Sequence, residues 1–192
     1  MSLFTRQPRA GFRALLILTV LTGVLYPLAV LGVGQLVGHH QAQGSLIERS
    51  GSVVGSSSLG QQVTTPQWFH GRPSAVEYAG NKSGGSNLGP NDDAEKKTLQ
   101  DKVSAVRQQN PGTGSTMPPD ALTASASGLD PDISPQYAAL QVARVAAARG
   151  LPEATVRQLV AEHTKGRILG FLGEPRVNVT ELNAALAATA RP

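Results

Sequence analysis

The dominant pattern in the chain is an apolar run at residues 14–37, which has no charged residue in 24 positions. At ~1.5 Å of rise per residue, a helix of that length spans roughly 36 Å and exceeds the ~30 Å hydrocarbon core of a bilayer. The pattern therefore predicts one N-terminal transmembrane helix.

Charges on the two sides of the run predict its direction. Three basic residues precede it with no acid among them: Arg6, Arg9 and Arg13. The first Lys or Arg after it is Arg49. Cytoplasmic loops carry the excess of Lys and Arg, so we expect residues 1–13 to be cytoplasmic and residues 38–192 to form an extracytoplasmic domain.

Two other interpretations fit an apolar N-terminal segment. A cleaved signal peptide shares the basic start, and Ala42-Gln43-Gly44 resembles a small-x-small cleavage site. The apolar part of a signal peptide is shorter, however, at ~7–15 residues. A buried core helix is usually shorter as well and rarely follows an arginine cluster. We therefore favour a retained membrane anchor.

Small residues and a proline interrupt the span. Pro27 leaves a backbone carbonyl that a neighbouring group must satisfy, and small residues such as Gly23 let another helix approach closely. Gly34 and Gly38 form a GxxxG spacing at the outer end. These positions indicate a surface for packing against partner helices.

The first part of the outer domain is predicted to be a hairpin and a long loop. Residues 46–54 are typical of two short strands around a Gly turn, whereas residues 55–90 are dense in Ser, Gly, Asn and Pro. A helix is predicted over 93–109, with Asn91 or Asp92 as its N-cap.

The second part carries stronger helix signals. Ser134 as N-cap, Pro135 at the first helical position and Gly150 past the end predict one helix. Pro152 begins a second helix, whose apolar face repeats at helical spacing. That face comprises Val156, Leu159, Val160 and His163.

The C-terminal part predicts strands and a last helix. Short strands are expected at 168–172 and 176–179, and a helix over 180–190 with Thr180 as its cap. The expected fold class is α+β, with one transmembrane helix followed by a single loop-rich extracytoplasmic domain.

Composition limits the chemistry of that domain. Of the 17 Lys and Arg residues, three precede the span, and the remaining 14 face 13 acidic residues. The outer domain is nearly neutral and has no basic stripe, which argues against a nucleic-acid partner. Because the chain has no cysteine, it has no disulfide, thiol nucleophile or Cys-based metal site.

No catalytic set emerges from the candidate side chains. Ser74 and Ser127 have no persuasive His partner in the sequence, so we expect loop or capping roles for them. The adjacent His39 and His40 lack further metal ligands and are expected at the membrane interface. His163 is expected to pack on its helix face.

Two further patterns favour structural roles. Segment 83–87 (SGGSN) could bind an anion, but no Gly-Lys-Ser/Thr follows it, and we favour a tight turn with positive φ at its glycines. The carboxylates of Asp130 and Asp132 are expected to serve the N-terminus of the helix after Ser134.

Five stretches resemble one family in their order and spacing. They are residues 55–61 (GSSSLGQ), 68–75 (WFHGRPSA), 83–89 (SGGSNLG), the motifs within 125–151, and 173–183 (GEPRVNV with LN). Together they resemble the C subunit of the bacterial Kdp potassium-transporting ATPase over nearly the whole chain. Asp132 stands where that family often has His.

The resemblance implies a single-pass subunit of a complex in the bacterial inner membrane. Its implied partners are a channel-like subunit that binds potassium, the transported ion, a P-type ATPase subunit and a small hydrophobic subunit. The family is described as a catalytic chaperone that stabilises the assembly and raises the affinity of the ATPase subunit for ATP. The resemblance also implies a nucleotide link for five residues: Gln141, Ser83, Gly84, Gly85 and Ser86.

The residues themselves qualify that implication. The chain lacks the Asp-Lys-Thr-Gly phosphorylation motif, so we do not expect it to be the enzyme of the complex. The predicted topology places Gln141 outside the cytoplasm, away from ATP, so any effect on ATP affinity is expected to be indirect. The alternative is a stand-alone anchored binding module that uses its Gly/Ser/Asn-rich loops.

Overall fold

The structure, a computed structural model, describes residues 3–89, 92–112, 114 and 116–189. The chain divides after Ser45 into two compact units. Within the described residues, the first unit is helical and the second combines helices with two small sheets. This confirms the α+β fold class.

The first unit is dominated by one continuous helix. Its parts are α1 (Leu3–Val20), a π-helical turn (Leu21–Leu25) and α2 (Tyr26–Val37), and a short α3 (His39–Ala42) follows. The stretch Gln7–Val37 is 31 residues long, with a mean hydropathy of 2.4 over its most apolar part and no buried share there. By length and composition, this helix could cross a membrane.

Pro27 accounts for the π-helical turn. Because Pro27 has no N–H, it cannot donate to the carbonyl of Gly23, and the helical ladder changes its spacing just before it. There the N–H of Tyr26 donates to the carbonyl oxygen of Leu21, five residues back. The π-helical turn is thus a local adjustment of the helix directly before Pro27.

The two glycines of the GxxxG spacing do not share one helix. Gly38 is the C-cap of α2 with φ −143°, so it lies beyond the helix end, whereas Gly34 lies inside α2. An added Cβ on Gly34 would lie 3.8 Å from the Cβ of Ala42 in α3. A helix-packing role for Gly23, Pro27, Gly34 and Gly38 stays a prediction.

The second unit begins with the predicted hairpin. β1 (Leu46–Arg49) and β2 (Ser52–Ser56) pair antiparallel, and the turn has positive φ at Ser50 and Gly51. Turns and irregular backbone then continue to residue 89. The predicted long loop is confirmed over its described part.

Helix α4 (Asp93–Gln109) has the predicted bounds. The carbonyl oxygen of Asp92 accepts the helix's first hydrogen bond, from the N–H of Lys96 at 3.1 Å, which places Asp92 at the N-cap. The other candidate, Asn91, lies outside the described residues.

Helix α5 (Pro135–Arg149) also follows its sequence signals. The Oγ of Ser134 accepts the N–H of Tyr137 at 3.0 Å, and Gly150 ends the helix in the left-handed region with φ +64°. Helix α6 (Glu153–Glu162) follows Pro152 as predicted, but it ends before His163, which is its C-cap and not part of the helix face.

The carboxylate at the start of α5 is not the one that the sequence suggested. Asp120, in a 3-10 turn at Pro119–Ala121, accepts from the backbone N–H of Ser134 at 2.6 Å and from its hydroxyl at 2.9 Å. Asp130 instead pairs with Arg72 and Asp132 with Arg176. The expected helix-terminal role of Asp130 and Asp132 is therefore wrong.

Asp132 is engaged elsewhere because it starts a strand. β3 (Asp132–Ile133), β4 (Thr164–Lys165) and β5 (Arg176–Asn178) form an antiparallel sheet in the order β3-β5-β4. The strand expected at 168–172 is wrong, since Ile168 and Leu172 only bridge across a tight turn. The strand expected at 176–179 is confirmed over Arg176–Asn178, whereas Val179 belongs to the last helix.

The last helix, α7 (Val179–Thr189), starts one residue earlier than predicted. Its first turn is capped by Asn178, whose Oδ1 accepts the N–H of Glu181 at 3.0 Å. Thr180 lies inside the helix, so the prediction that it is the cap is wrong. Residue 190, the predicted end, lies outside the described residues.

The core lies where α5, α6 and α7 meet the three-stranded sheet. Its fully buried apolar side chains come from all of these elements and from the long loop. They include Phe69, Ile133, Val142, Val145, Val156, Val177, Leu182 and Leu186.

We expect Gly128→Ala to destabilise the outer domain. Gly128 has φ +70°, and an added Cβ would lie 2.5 Å from a methyl carbon of Val76 and 2.8 Å from the carbonyl oxygen of Gly84. Left-handed strain and overpacking together should lower the free energy of unfolding by roughly 2–4 kcal/mol. Thermal melting of the full chain in detergent measures this loss.

The matched control is Gly150→Ala. Gly150 also has positive φ, at +64°, but an added Cβ there would meet no atom within 4 Å. It should show only the strain part of the cost, about 1 kcal/mol. Equal losses in the two variants would contradict the steric argument.

Candidate functional site

Gln141 lies in the middle of α5 with a fully buried side chain. Its Oε1 accepts from the backbone N–H of His70 at 2.7 Å and from the guanidinium of Arg144 at 2.6 Å. Its Nε2 donates to the carbonyl oxygen of His70 at 3.1 Å. The carboxamide therefore pairs with the backbone of His70 in both directions, as a neighbouring strand would.

Asn183 of α7 pairs with the next residue in the same way. Its Oδ1 accepts the N–H of Phe69 and its Nδ2 donates to the carbonyl oxygen of Phe69, both at 2.9 Å. Residues 66–70 are called the central loop below. Two side-chain amides, one from α5 and one from α7, thus serve the central loop in place of a sheet partner.

Arg144 completes this network from α5. Its Nη1 donates to the carbonyl oxygens of Pro66 and Trp68, and its Nε donates to the Oδ1 of Asn110 at 3.0 Å. The side chain is buried, and burial lowers the pKa of the guanidinium. In the described part of the chain no carboxylate pairs with Arg144, so its charged guanidinium donates only to uncharged carbonyl and amide oxygens there.

His70 is the titratable group of the central loop. Its Nε2 lies 3.0 Å from the carbonyl oxygen of Thr65. Burial lowers the pKa of His70, the hydrogen bond to Thr65 partly opposes this, and the nearby charge of Arg144 lowers the pKa further.

The other predicted nucleotide segment, residues 83–86, packs against a different loop. The N–H of Gly84 and the hydroxyl of Ser83 both donate to the carbonyl oxygen of Ser127, at 2.9 and 3.2 Å. An added Cβ on Gly85 would lie 3.3 Å from the carbonyl oxygen of Ala126. These contacts join segment 83–86 to residues 125–128.

Close backbone approach explains the glycines of this segment. Asn87 has positive φ (+54°), whereas Gly84 and Gly85 do not, so the expected positive φ at these glycines is wrong. Because the N–H of Gly84 is donated within the protein, it is not directed at an anion. The nucleotide role of Ser83, Gly84, Gly85 and Ser86 stays a prediction.

The two serines considered as nucleophiles hold turns. The hydroxyl of Ser74 donates to the carbonyl oxygen of Gly128 at 2.7 Å and accepts the N–H groups of Val76 and Tyr78. The Oγ of Ser127 accepts the N–H of Leu129 at 3.1 Å. The expected loop roles are confirmed.

The five predicted nucleotide residues belong to two separate contact networks. Among the described residues, no hydrogen bond joins Gln141 to segment 83–86, and each is held by its own loop. Of the three topology arginines, Arg9 and Arg13 have exposed side chains on α1, and nothing is described of the side chain of Arg6.

Sequence reasoning missed two of the side chains that hold the central loop together with Gln141. Arg144 and Asn183 are polar residues on helix faces that are otherwise apolar, next to Val145 and Leu182. Arg144 is buried and Asn183 is half-buried, and polar side chains removed from water are usually hydrogen-bonded. The sequence does not indicate the loop that they bind, since that loop lies more than 70 positions away.

A groove of about 300 Å³ lies between the hairpin and α7. Arg49 lines the groove and donates to the carbonyl oxygen of Ala187. Arg149 donates to the carbonyl oxygen of Leu186, and its guanidinium lies 4.5 Å from the ring centre of Trp68. These arginines meet the free carbonyls of the helix end. In the described ranges, no three His, Asp or Glu side chains come together to hold a metal ion.

Comparison with known proteins identifies close relatives. The family described as "KdpC: K+-transporting ATPase, c chain" matches residues 8–188. Proteins named "Potassium-transporting ATPase KdpC subunit" are similar to this chain in several bacteria. That of Sorangium cellulosum is 54% identical over 181 residues, covering 93% of this chain and 95% of the relative. That of Bradyrhizobium diazoefficiens is 48% identical over 195 residues, covering 94% and 96%.

We expect Gln141→Leu to release the central loop. The change leaves the half-buried N–H and carbonyl oxygen of His70 without their partner and removes an acceptor of Arg144. Each unmet group costs about 1–3 kcal/mol, so the free energy of unfolding should fall by roughly 3–5 kcal/mol. Trp68, the single tryptophan, lies in the loop, and its fluorescence reports the change.

The control for this variant is Gln136→Leu, on an exposed position of the same helix. It should change the free energy of unfolding by no more than about 0.5 kcal/mol. An unaltered Trp68 emission and melting temperature in Gln141→Leu would contradict the role of the carboxamide.

We expect His70 to make the outer domain less stable in acid. Because burial lowers the pKa of His70 in the folded protein, the unfolded chain binds a proton more readily. The stabilisation is complete above the unfolded pKa of about 6.5 and is lost as the pH falls toward the folded pKa. His70→Gln lacks this titration, so its melting temperature should not show this loss. The difference in melting temperature between the natural protein and the variant should therefore narrow as the pH falls. Parallel pH profiles of the two proteins would contradict this assignment.

Proposed function

The chain belongs to the KdpC family, the c chains of K⁺-transporting ATPases, and from this we propose that it is a non-catalytic subunit that stabilises a potassium-uptake complex. Its proposed partners are a channel-like subunit that binds potassium, a P-type ATPase subunit that hydrolyses ATP and a small hydrophobic subunit. The proposed location is the bacterial inner membrane.

The observation that carries this proposal is the exposed apolar helix Gln7–Val37. An apolar surface of that length needs either lipid or other apolar helices around it. Basic residues stand at its N-terminal end, and the next one along the chain is Arg49. Positive residues favour the cytoplasm, so the proposed orientation has residues 1–13 inside and the domain from residue 38 onward outside.

The proposed task of the outer domain is to pack over the extracytoplasmic mouth of the potassium-binding subunit. The network around the central loop supports such a task, because it gives an outer domain with little sheet a fixed shape. A preformed surface loses little conformational entropy when it binds a partner.

An effect on ATP affinity is proposed to be indirect. Gln141 is fully buried, and its carboxamide already makes three hydrogen bonds inside the domain. In the proposed orientation it also lies on the side of the membrane opposite to the ATP site. The chain would raise ATP affinity by favouring the assembly state in which the ATPase subunit binds ATP more tightly.

The test labels single cysteines in cells that express the whole complex. The chain has no native cysteine, so Asn81→Cys on the exposed loop and Gln7→Cys at the start of the apolar helix can each be labelled alone. We expect a membrane-impermeant maleimide added outside the inner membrane to label position 81 and not position 7. Labelling of position 81 only from the cytoplasmic side would overturn the orientation.

The same cells test the subunit role. After detergent extraction, a tag on this chain should bring down multi-span partners, and omission of the chain should abolish potassium-stimulated ATP hydrolysis. Recovery of the chain alone, with normal hydrolysis in its absence, would favour the stand-alone binding module instead.

A further inference from the structure

Four large apolar side chains are exposed at one turn of the outer domain. The exposed fractions are 60% for Ile168, 79% for Leu169, 69% for Phe171 and 49% for Leu172. None of the four belongs to the hydrophobic core. Residues 168–172 are called the apolar turn below. A contiguous exposed apolar patch of this kind marks an interaction site or an aggregation hazard.

The backbone of the apolar turn is held by its own hydrogen bonds. Ile168 and Leu172 each donate an N–H to the other's carbonyl oxygen at 2.9 Å, and the N–H of Gly170 donates to the carbonyl oxygen of Arg167 at 3.2 Å. The side chains are therefore displayed on a preformed turn, which reduces the entropy that binding costs.

Leu169 adopts a backbone conformation that disfavours leucine. Its φ is +54°, in the left-handed region where Gly and Asn are the preferred residues. The side chain of Leu169 packs little against the rest of the domain, since it is the most exposed of the four. A strained, exposed leucine is best explained by a contact outside this chain.

The charges around the apolar turn distinguish between two kinds of partner. Each basic residue in segment 164–176 has an acidic partner: Lys165 with Glu181 at 2.8 Å, Arg167 with Glu174 at 2.7 Å, and Arg176 with Asp132 at 3.0 Å. Binding to an anionic lipid surface depends on basic residues in excess, and Trp and Tyr favour the interface. In segment 164–176 the basic residues are all paired with acids, and the segment has neither Trp nor Tyr. These features favour a protein partner over an anionic lipid surface.

We propose that the apolar turn inserts into an uncharged apolar recess on a membrane-embedded partner subunit of the same complex. This inference rests on the proposed role as a subunit of that complex and names the surface that docks. Leu169 and Phe171, the two most exposed side chains, act as the anchors. The ion pairs around them form the polar rim typical of a protein–protein interface.

The test compares substitutions in the assembled complex. In the double variant Leu169→Asn with Phe171→Ser, Asn suits the left-handed backbone, so the fold should be retained. We expect the fraction of this chain that co-purifies with the multi-span partners to fall roughly tenfold, as truncation of buried anchors does. The control is Val53→Thr with Leu88→Ser, which removes apolar side chains that are 56% and 43% exposed elsewhere. The control should co-purify normally.

A photocrosslink identifies the occupant. With Phe171 replaced by its photoreactive analogue benzoylphenylalanine, irradiation of the purified complex should join the turn to a peptide of a membrane-embedded partner. Adducts with lipid or with a second copy of this chain would overturn the proposal, as would normal co-purification of the double variant.

The Asn81→Cys label separates this inference from the proposed function. Outward labelling and co-purification of the natural chain, together with an unaffected double variant, would refute the apolar turn alone. Inward labelling, or recovery of the natural chain without partners, would refute both.

Discussion

Buried backbone in a domain with little sheet must find its hydrogen bonds elsewhere, and the outer domain is organised by that constraint. The ring of Phe69 is fully buried, which brings the half-buried backbone around Phe69 and His70 against the core. An unmet N–H or carbonyl there would cost about 1–3 kcal/mol. Gln141, Asn183 and Arg144 supply the missing partners from two helices. The polar residues on the buried faces of α5 and α7 are therefore structural requirements of the loop.

The glycine-rich loops meet the same constraint by a different route. Segment 83–86 approaches residues 125–128 so closely that a Cβ on Gly128 would lie 2.8 Å from the carbonyl oxygen of Gly84. The two backbones can then bond to each other directly, through the N–H of Gly84 and the carbonyl of Ser127. The Gly- and Ser-rich sequence here thus forms two loops whose backbones hydrogen-bond to each other. Such a composition does not by itself indicate a ligand site.

The parts of the fold that the sequence predicts are those with local signals. The signals for the helix 93–109 are contained in that segment, and the cap, proline and glycine that predict α5 all lie within residues 134–150. The structure confirms both helices. β3 is only two residues long, and its pairing with β5 joins positions about 45 residues apart, so no local pattern indicates it. The cap of α7 was misplaced because Asn178 and Thr180 both suit an N-cap, and strand β5 determines which one precedes the helix. For the candidate site, Gln141 came from a family resemblance, whereas its partners depend on tertiary contacts.

The position of Gln141 bears on how mutations there should be interpreted. A subunit that raises ATP affinity without touching nucleotide must act by favouring one state of its partners, and by linkage ATP must then tighten its attachment in equal measure. We expect loss of Gln141 to release the central loop. Under the proposed indirect role, ATP affinity would then fall, although no contact with nucleotide had been removed. Mutation of Gln141 therefore distinguishes two roles. If Gln141 is a structural support, the mutation should lower the stability of the domain and its attachment to the complex together with ATP affinity. If Gln141 contacts nucleotide directly, the mutation should lower ATP affinity alone.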